Sequence, residues 1–133
     1  MESSFYVEML REFHQKYGHA VSSYPTSVTE RIRNLRIRLI HEEASETIDA
    51  LQQGNLVDLA DGLADLLYVV FGTAVSYGIP IDEVFKEVHR SNMTKTLDKD
   101  QGGKTIKGPD WQPPQISRIL YKGEPRTAKG SLD

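Results

Sequence analysis

The sequence contains no cysteine, which excludes disulfide bonds and cysteine-ligated zinc sites and favours a reducing compartment. It also lacks an excess of positive charge. Its 16 Lys and Arg residues are outnumbered by 19 Asp and Glu residues, for a formal net charge of −3. A chain of this charge has no general attraction to polyanions, so we expect neither nucleic acid nor an acidic membrane as a partner.

Long hydrophobic runs are missing as well. The longest uncharged stretch, residues 66–81, contains Gly, Ser, Thr and Pro and is shorter than a membrane-spanning helix requires. The first residues, MESSFYVEML, have neither the basic start nor the continuous apolar run of a signal peptide. A length of 133 residues suits one compact domain. We therefore expect a cytoplasmic protein without a membrane segment.

Apolar residues at helical spacing indicate four helices separated by short breaks. The predicted ranges are about 4–17, 27–53, 55–77 and a fourth helix that follows Pro80. The second begins at the capping-box match SVTE, with Ser27 as the capping residue. Gly18, Gly54 and Gly78 are typical helix stops. In the fourth helix, Val84, Phe85 and Val88 are expected to face the core.

The C-terminal part has a different composition. Its last 36 residues, 98–133, hold five of the ten glycines and four of the six prolines. No stretch of the chain alternates as a strand of useful length would. We therefore predict an all-α, four-helix bundle-like fold, with a helical core over residues 1–97. A loop-rich extension over residues 98–133 would pack on this core or on a partner subunit.

The second predicted helix gathers four acids within LIHEEASETIDAL, residues 39–51. They are Glu42, Glu43, Glu46 and Asp49. The opposite face of the helix is apolar and comprises Ile37, Ile40, Ala44, Ile48 and Leu51. Taken alone, such an acid run is as well explained by a solvated helix face.

The third helix favours a different interpretation. Asp58, Asp61 and Asp65 fall on one stripe about 60° wide of a helix that is otherwise apolar. Buried carboxylates are rare unless they are paired or bind a metal, and no Lys or Arg occurs between residues 39 and 85. The short QQGN turn makes the two helices antiparallel neighbours, so their acid stripes would meet. An all-oxygen cage of this kind suits Mg²⁺, or alternatively Mn²⁺.

These motifs resemble those of the MazG-like all-α nucleoside triphosphate pyrophosphohydrolases, a superfamily that includes phosphoribosyl-ATP pyrophosphohydrolase. Glu42, Glu43 and Glu46 stand as its Glu-Glu-x-x-Glu motif. ADLLYVVFGTAVSYGI is similar to its second motif and apolar run, with Asp65 as the motif's Asp. EVHRSNMTK and GKTIKGPDWQPP also resemble a branch of the superfamily, so that the resemblance covers about residues 5–120.

The resemblance implies a Mg²⁺-dependent enzyme that cleaves a nucleotide to a monophosphate and pyrophosphate, and a homodimer or homotetramer. One residue departs from it. The second motif should carry Glu at position 62, where this chain has Gly62. Asp61 lies on the same helix face as Asp65 and is our candidate replacement, with Asp58 as the reserve.

The implied site residues are accordingly of three kinds. The expected metal ligands are Glu43, Glu46, Asp61 and Asp65, and the expected catalytic carboxylates are Glu42 and Glu43. The expected substrate-binding residues are Arg38, Asn92 and Lys95.

Simpler interpretations remain beside these roles. Arg38 has the spacing of an ordinary salt bridge to Glu42, and Lys95 that of a solvated lysine. For the whole chain, the alternatives are phosphoribosyl-ATP as the substrate, or a non-catalytic helical module whose acids bind a basic partner.

Overall fold

The computed structural model describes residues 4–121. This part of the chain contains five helices: α1 (Phe5–Tyr17), α2 (Glu30–Gln53), α3 (Leu56–Tyr77), α4 (Ile81–Asn92) and α5 (Ile116–Leu120). Within these residues there is no β-strand, and extended pairing is limited to one isolated bridge between Lys99 and Thr105. The all-α prediction is confirmed.

The helix ends follow the predicted glycines. Gly18, Gly54 and Gly78 have φ values of 73°, 71° and 68°, in the left-handed region that glycine tolerates best. At the start of α3, the side chain of Asn55 accepts a hydrogen bond from the backbone N–H of Asp58 at 3.0 Å. These local signals therefore set the lengths of α1, α2 and α3.

The start of α2 differs from the prediction. Thr29, not Ser27, is the capping residue, and its hydroxyl oxygen accepts from the backbone N–H of Ile32 at 3.3 Å. Just upstream, the backbone N–H of Thr26 donates to the carbonyl of Tyr77 at 3.0 Å. This contact ties the preceding segment to the end of α3, so the helix begins two residues later than the capping-box match suggests.

The structure divides into two compact units, Met1–Ile79 and a second that begins at Pro80. In the first, α2 packs along α3 and α1 packs against α3. Its buried apolar residues are Val7, Leu10, Ala50, Ala74 and Val75. In the second, α4 contacts α5. α4 thus groups here with the C-terminal segment, whereas the predicted domain boundary near residue 97 groups it with the helical core; that boundary stays a prediction.

Several apolar residues of the helices are exposed in the single chain. On α2 these are Ile37, Ile48 and Leu51, and on α3 they are Leu56, Val57, Leu63 and Leu67. Phe85 of α4, expected to face the core, is 71% exposed, so the prediction is wrong for this residue.

The apolar character of α3 also bears on membranes. By length and composition, Leu56–Tyr77 could cross a membrane, a test that the core helix of a soluble protein passes equally. The three acids along this helix would be costly in a bilayer. The absence of a membrane partner stays a prediction.

Candidate metal centre

The backbones of α2 and α3 approach each other closely at Gly62. A Cβ at this position would lie 3.0 Å from Oγ1 and 3.3 Å from Cα of Thr47. Thr47 is itself buried, and its hydroxyl donates to the carbonyl of Glu43 at 2.7 Å. A side chain at position 62 would require Thr47 to give by a few tenths of an ångström. The departure from the Glu-x-x-Asp motif thus coincides with close packing of the two helices.

Acids from both helices line one depression beside this contact. Its volume is 270 Å³, and its lining residues are Glu46, Asp49, Ala50, Gln53, Asp58, Asp61, Gly62 and Asp65. Since α2 contributes two of these acids and α3 three, the structure brings the two acid stripes together. The short connection between the helices, Gly54 and Asn55, enforces this arrangement.

Glu43 lies close to these acids, along the contact between α2 and α3 that we call the seam, and it is half-buried. Burial raises the pKa of its carboxyl group, and the negative charges of Glu46 and Asp65, followed by those of Glu42 and Asp61, raise it further. Of the three α3 acids, Asp61 and Asp65 are thus the two whose charges raise the pKa of Glu43. This pairing favours Asp61 over Asp58 as the replacement for the missing motif residue.

One oxygen of Glu43, Oε1, is buried without a hydrogen-bond partner. A buried acceptor left unpaired costs about 1–3 kcal/mol, and more when it is charged. Within residues 4–121, none of the salt bridges includes Glu43. A hard divalent cation would supply the missing positive charge, and carboxylate oxygens are the ligands that Mg²⁺ and Mn²⁺ prefer. The donor set therefore fits such an ion.

The carboxylates are not gathered into a finished cage. Within residues 4–121, no group of three or more His, Asp or Glu side chains is close enough to hold a metal ion. Glu46, Asp61 and Asp65 are exposed on the helix surfaces, and convergence of their oxygens would require rotation about their side-chain torsions. Because like charges repel, such convergence is favourable only around a cation.

The predicted substrate-binding residues occupy two different settings. Nε of Arg38 lies 3.9 Å from Oε2 of Glu42, and both side chains are largely exposed, so this pair is the weak i,i+4 salt bridge considered above. In the second unit, Asn92 ends α4 and its carbonyl accepts from the backbone N–H of Lys95 at 3.1 Å. The roles of all three in binding substrate stay predictions.

Arg36 was missed in the sequence. It is 5% exposed, and its Nε and Nη2 donate to Oγ1 of Thr73 and to the carbonyl of Val69, both at 3.0 Å. The sequence pattern does not separate Arg36 from the exposed arginines of α2, because its burial depends on these contacts with α3.

His14 is a second buried polar residue that the sequence did not single out. Its Nδ1 lies 2.9 Å from the carbonyl of Ala20. Burial lowers the pKa of His14, although this hydrogen bond opposes the shift, and the charge of Arg36 lowers the pKa further. His14 is thus a neutral ring that packs beside a buried cation.

Comparison with known proteins shows the family to which the chain belongs. The model of the phosphoribosyl-ATP pyrophosphohydrolase family matches residues 10–92, more than half of the chain. The chain belongs to this family. The family is part of the MazG-like all-α nucleoside triphosphate pyrophosphohydrolase superfamily, so the resemblance drawn from the acid motifs is confirmed.

The family match over residues 10–92 includes every acid of the seam. The family consists of nucleotide hydrolases of the pyrophosphohydrolase type, which are typically metal-dependent. A curated relative, uncharacterized protein L479 of Acanthamoeba polyphaga mimivirus, is 34% identical over 80 residues. The aligned region is 53% of this chain but 30% of the relative, so the chain spans less than a third of that relative's length.

Proposed function

We propose that this protein is a Mg²⁺-dependent pyrophosphohydrolase that cleaves a nucleoside triphosphate, or a related nucleotide, to a monophosphate and pyrophosphate. The observation that carries the proposal is the buried, unpartnered oxygen of Glu43 in a seam of acids from two helices. Family membership supports the reaction type. Mn²⁺ is the alternative ion, since it accepts the same oxygen ligands.

Four carboxylates would hold the metal: Glu43, Glu46, Asp61 and Asp65. When bound, Mg²⁺ neutralises polyphosphate charge and lowers the pKa of a coordinated water. Glu42 points away from the buried face, exposed and weakly paired to Arg38, which leaves its carboxylate available to orient a water or accept a proton from it. Arg38 in the first unit is a proposed contact to the phosphates, and Asn92 and Lys95 in the second unit stay proposed substrate-binding residues.

Phosphoribosyl-ATP is the second candidate substrate, because the matching family is described by that activity. It carries the same anhydride chemistry as ATP with an additional phosphoribosyl group. The acid seam acts on the anhydride and does not distinguish the two. Discrimination must therefore come from residues outside the seam.

We further propose that the protein is a homodimer or homotetramer. The exposed apolar residues of α2 and α3, Ile37, Ile48, Leu51, Leu63 and Leu67 among them, form faces that water solvates poorly. A second copy of the chain would cover them, as subunits do in most symmetric oligomers. The proposed compartment is the cytoplasm.

A pyrophosphate-release screen tests the function. The ribo- and deoxyribonucleoside triphosphates and phosphoribosyl-ATP are incubated with wild-type protein, with and without Mg²⁺ or Mn²⁺, and the products are identified by ³¹P NMR. We expect a monophosphate and pyrophosphate from at least one of them, only with metal.

Two variants sharpen the screen. Asp65→Asn on α3 should lose turnover, whereas Glu30→Gln, which changes an exposed acid at the start of α2, should keep it. Release of inorganic phosphate alone, or metal binding without any turnover, would contradict the proposal; the second result would favour the non-catalytic acidic module.

A further inference from the structure

The seam between α2 and α3 holds a buried guanidinium as well as acids. Arg36 is 5% exposed, and its hydrogen-bond acceptors, Thr73 and Val69, are both neutral. It pairs with no carboxylate in the part of the chain that the structure describes, where the ion pairs are those of Arg11, Arg33, Arg38 and Arg90. Burial lowers its pKa. A buried charge without a counter-charge is costly, so an anion is the missing partner.

Arg36 opens onto a large cavity of 1180 Å³. Its lining residues are Tyr17, Gly18, His19, Ala20, Thr29, Arg31, Ile32, Asn34, Leu35, Arg36, Arg38 and Ser76. Three of them are arginines and none is acidic. The cavity is therefore positively charged, in contrast to the acid depression, and it has room for a group much larger than a water molecule.

We infer that this cavity is a phosphate-binding site in which Arg36 is the buried anchor and Arg31 and Arg38 are the outer cations. A guanidinium presents its donors as a planar fork that matches the oxygens of a phosphate. Arg36 uses only part of this fork for Thr73 and Val69. Its remaining donors, together with the two exposed arginines, recognise the anion.

The site is separate from the metal centre, although it lies on the same helix. Arg36 precedes Glu43 by seven residues, or about 10.5 Å along the helix axis at 1.5 Å per residue. The cavity around Arg36 and the acid depression share no lining residue. The bound phosphate is therefore either free pyrophosphate or a phosphate that a substrate carries beyond the anhydride to be cleaved. The second source rests on the proposed function, whereas the first does not.

Gly72 on α3 keeps the guanidinium in place. A Cβ at this position would lie 2.6 Å from Nη2 of Arg36 and 2.9 Å from Nε2 of His14. The arginine and the neutral imidazole thus occupy the space that a side chain would fill. The anchor is held from the α3 side by a glycine and by two hydrogen bonds.

Calorimetric titration of the metal-free protein with inorganic pyrophosphate, in EDTA, tests the site. Without metal the acid seam repels anions, so the heat reports the arginine cavity. We expect binding to wild-type protein and a loss of affinity of about tenfold or more in Arg36→Gln. Arg31→Gln, which changes an exposed side chain and leaves packing intact, should weaken binding several-fold.

Arg33→Gln is the matched control. Arg33 lies on the same helix, is exposed and does not line the cavity, and its Nη2 lies 3.7 Å from Oε2 of Glu30. The affinity of Arg33→Gln for pyrophosphate should therefore equal that of wild type. Parallel titrations with ATP and phosphoribosyl-ATP identify the source of the phosphate. If Arg36→Gln and Arg31→Gln lose more affinity for phosphoribosyl-ATP than for ATP, the bound phosphate belongs to the substrate. If they lose affinity only for pyrophosphate, the bound phosphate is the free anion.

Two results would overturn the phosphate site. One is the absence of any binding of pyrophosphate and phosphoribosyl-ATP to the wild-type protein. The other is equal affinity in wild type, Arg31→Gln and Arg33→Gln. Because these titrations contain no metal, a failure of Mg²⁺-dependent hydrolysis leaves their outcome unchanged, and the two failures can be told apart.

Discussion

Replacing Gly62 by alanine measures how closely α2 and α3 must approach beside the acids. In an exposed helix interior, alanine is favoured over glycine by about 1 kcal/mol. Here the added Cβ would sit 3.0 Å from Oγ1 and 3.3 Å from Cα of Thr47, roughly 0.4 Å inside ordinary contact. Overpacking of this kind costs about 1–3 kcal/mol. We therefore expect a net loss of about 1 kcal/mol in the free energy of unfolding.

The contact with Thr47 can be isolated by a double-mutant cycle. Thr47→Ala removes the hydroxyl that the new Cβ would meet, so Gly62→Ala should cost less in that background, by a coupling of about 1 kcal/mol. Gly62→Glu would restore the family motif in sequence but not in space. It should destabilise the protein more than Gly62→Ala does, because it adds volume and a carboxylate at a buried position.

Urea unfolding of the four chains of the cycle, together with pyrophosphate release by each single variant, is the assay. Gly62→Ala should lower turnover as well as stability, since a shift of a few tenths of an ångström moves the acids of α2 away from those of α3. A Gly62→Glu protein with wild-type stability and undiminished turnover would refute the close packing of α2 and α3 at this position.

Three further predictions concern the α3 acids, the assembly and the second unit. Asp61→Asn and Asp65→Asn should each depress turnover by orders of magnitude, and Asp58→Asn should be milder, in a Mg²⁺ titration at saturating nucleotide; the reverse order would assign the motif to Asp58. Light scattering should give the mass of a dimer or tetramer, and a monomeric mass at working concentration would contradict the proposed interface. The hydrogen bond from Arg90 and that from the N–H of Gln115 lower the pKa of Glu87 to about 2. The ionised Glu87 therefore stabilises the folded protein fully above its ordinary pKa of 4.5, and this stabilisation is lost as the pH falls towards 2. In urea unfolding at a series of pH values, Glu87→Gln should lose less stability than wild type between pH 4.5 and 2. An unchanged loss of stability would exclude this role of Glu87.

The helix ends could be predicted because their causes are local. A glycine at a left-handed position or an Asn whose side chain caps the next turn acts within a few residues, as at Gly54 and Asn55. The start of α2 could not be predicted in the same way. Ser27 and Thr29 are both good capping residues, and the choice depends on the bond from Thr26 to Tyr77, which joins distant parts of the sequence.

The convergence of the acid stripes was also accessible from sequence. Helical periodicity places Glu46 on one face, Asp61 and Asp65 on another, and a short turn forces the two helices side by side. What the sequence could not show is how closely α2 and α3 pack at position 62. That closeness is seen only in the distance between Gly62 and Thr47, a property of packing.

Two features escaped prediction for physical reasons of their own. Arg36 looks like an ordinary surface charge among the arginines of α2, and its burial depends on the contacts with α3. The faces that carry Ile48 and Leu63 are hydrophobic by sequence, yet both residues are exposed in the single chain. Sequence patterning marks a face as apolar but does not say whether the same chain or another copy covers it.

The central claim is that the acids around Glu43 bind a divalent cation, and thermal unfolding across a Mg²⁺ titration tests it most directly. A ligand at a hundredfold excess over its Kd stabilises the native state by about 2.7 kcal/mol. The melting temperature of wild type should therefore rise with Mg²⁺, and Glu30→Gln should rise equally. Glu43→Gln, which removes the unpartnered carboxylate oxygen's charge, should respond little. A wild-type melting curve that millimolar Mg²⁺ and Mn²⁺ leave unmoved, or an equal rise in Glu43→Gln, would contradict the claim.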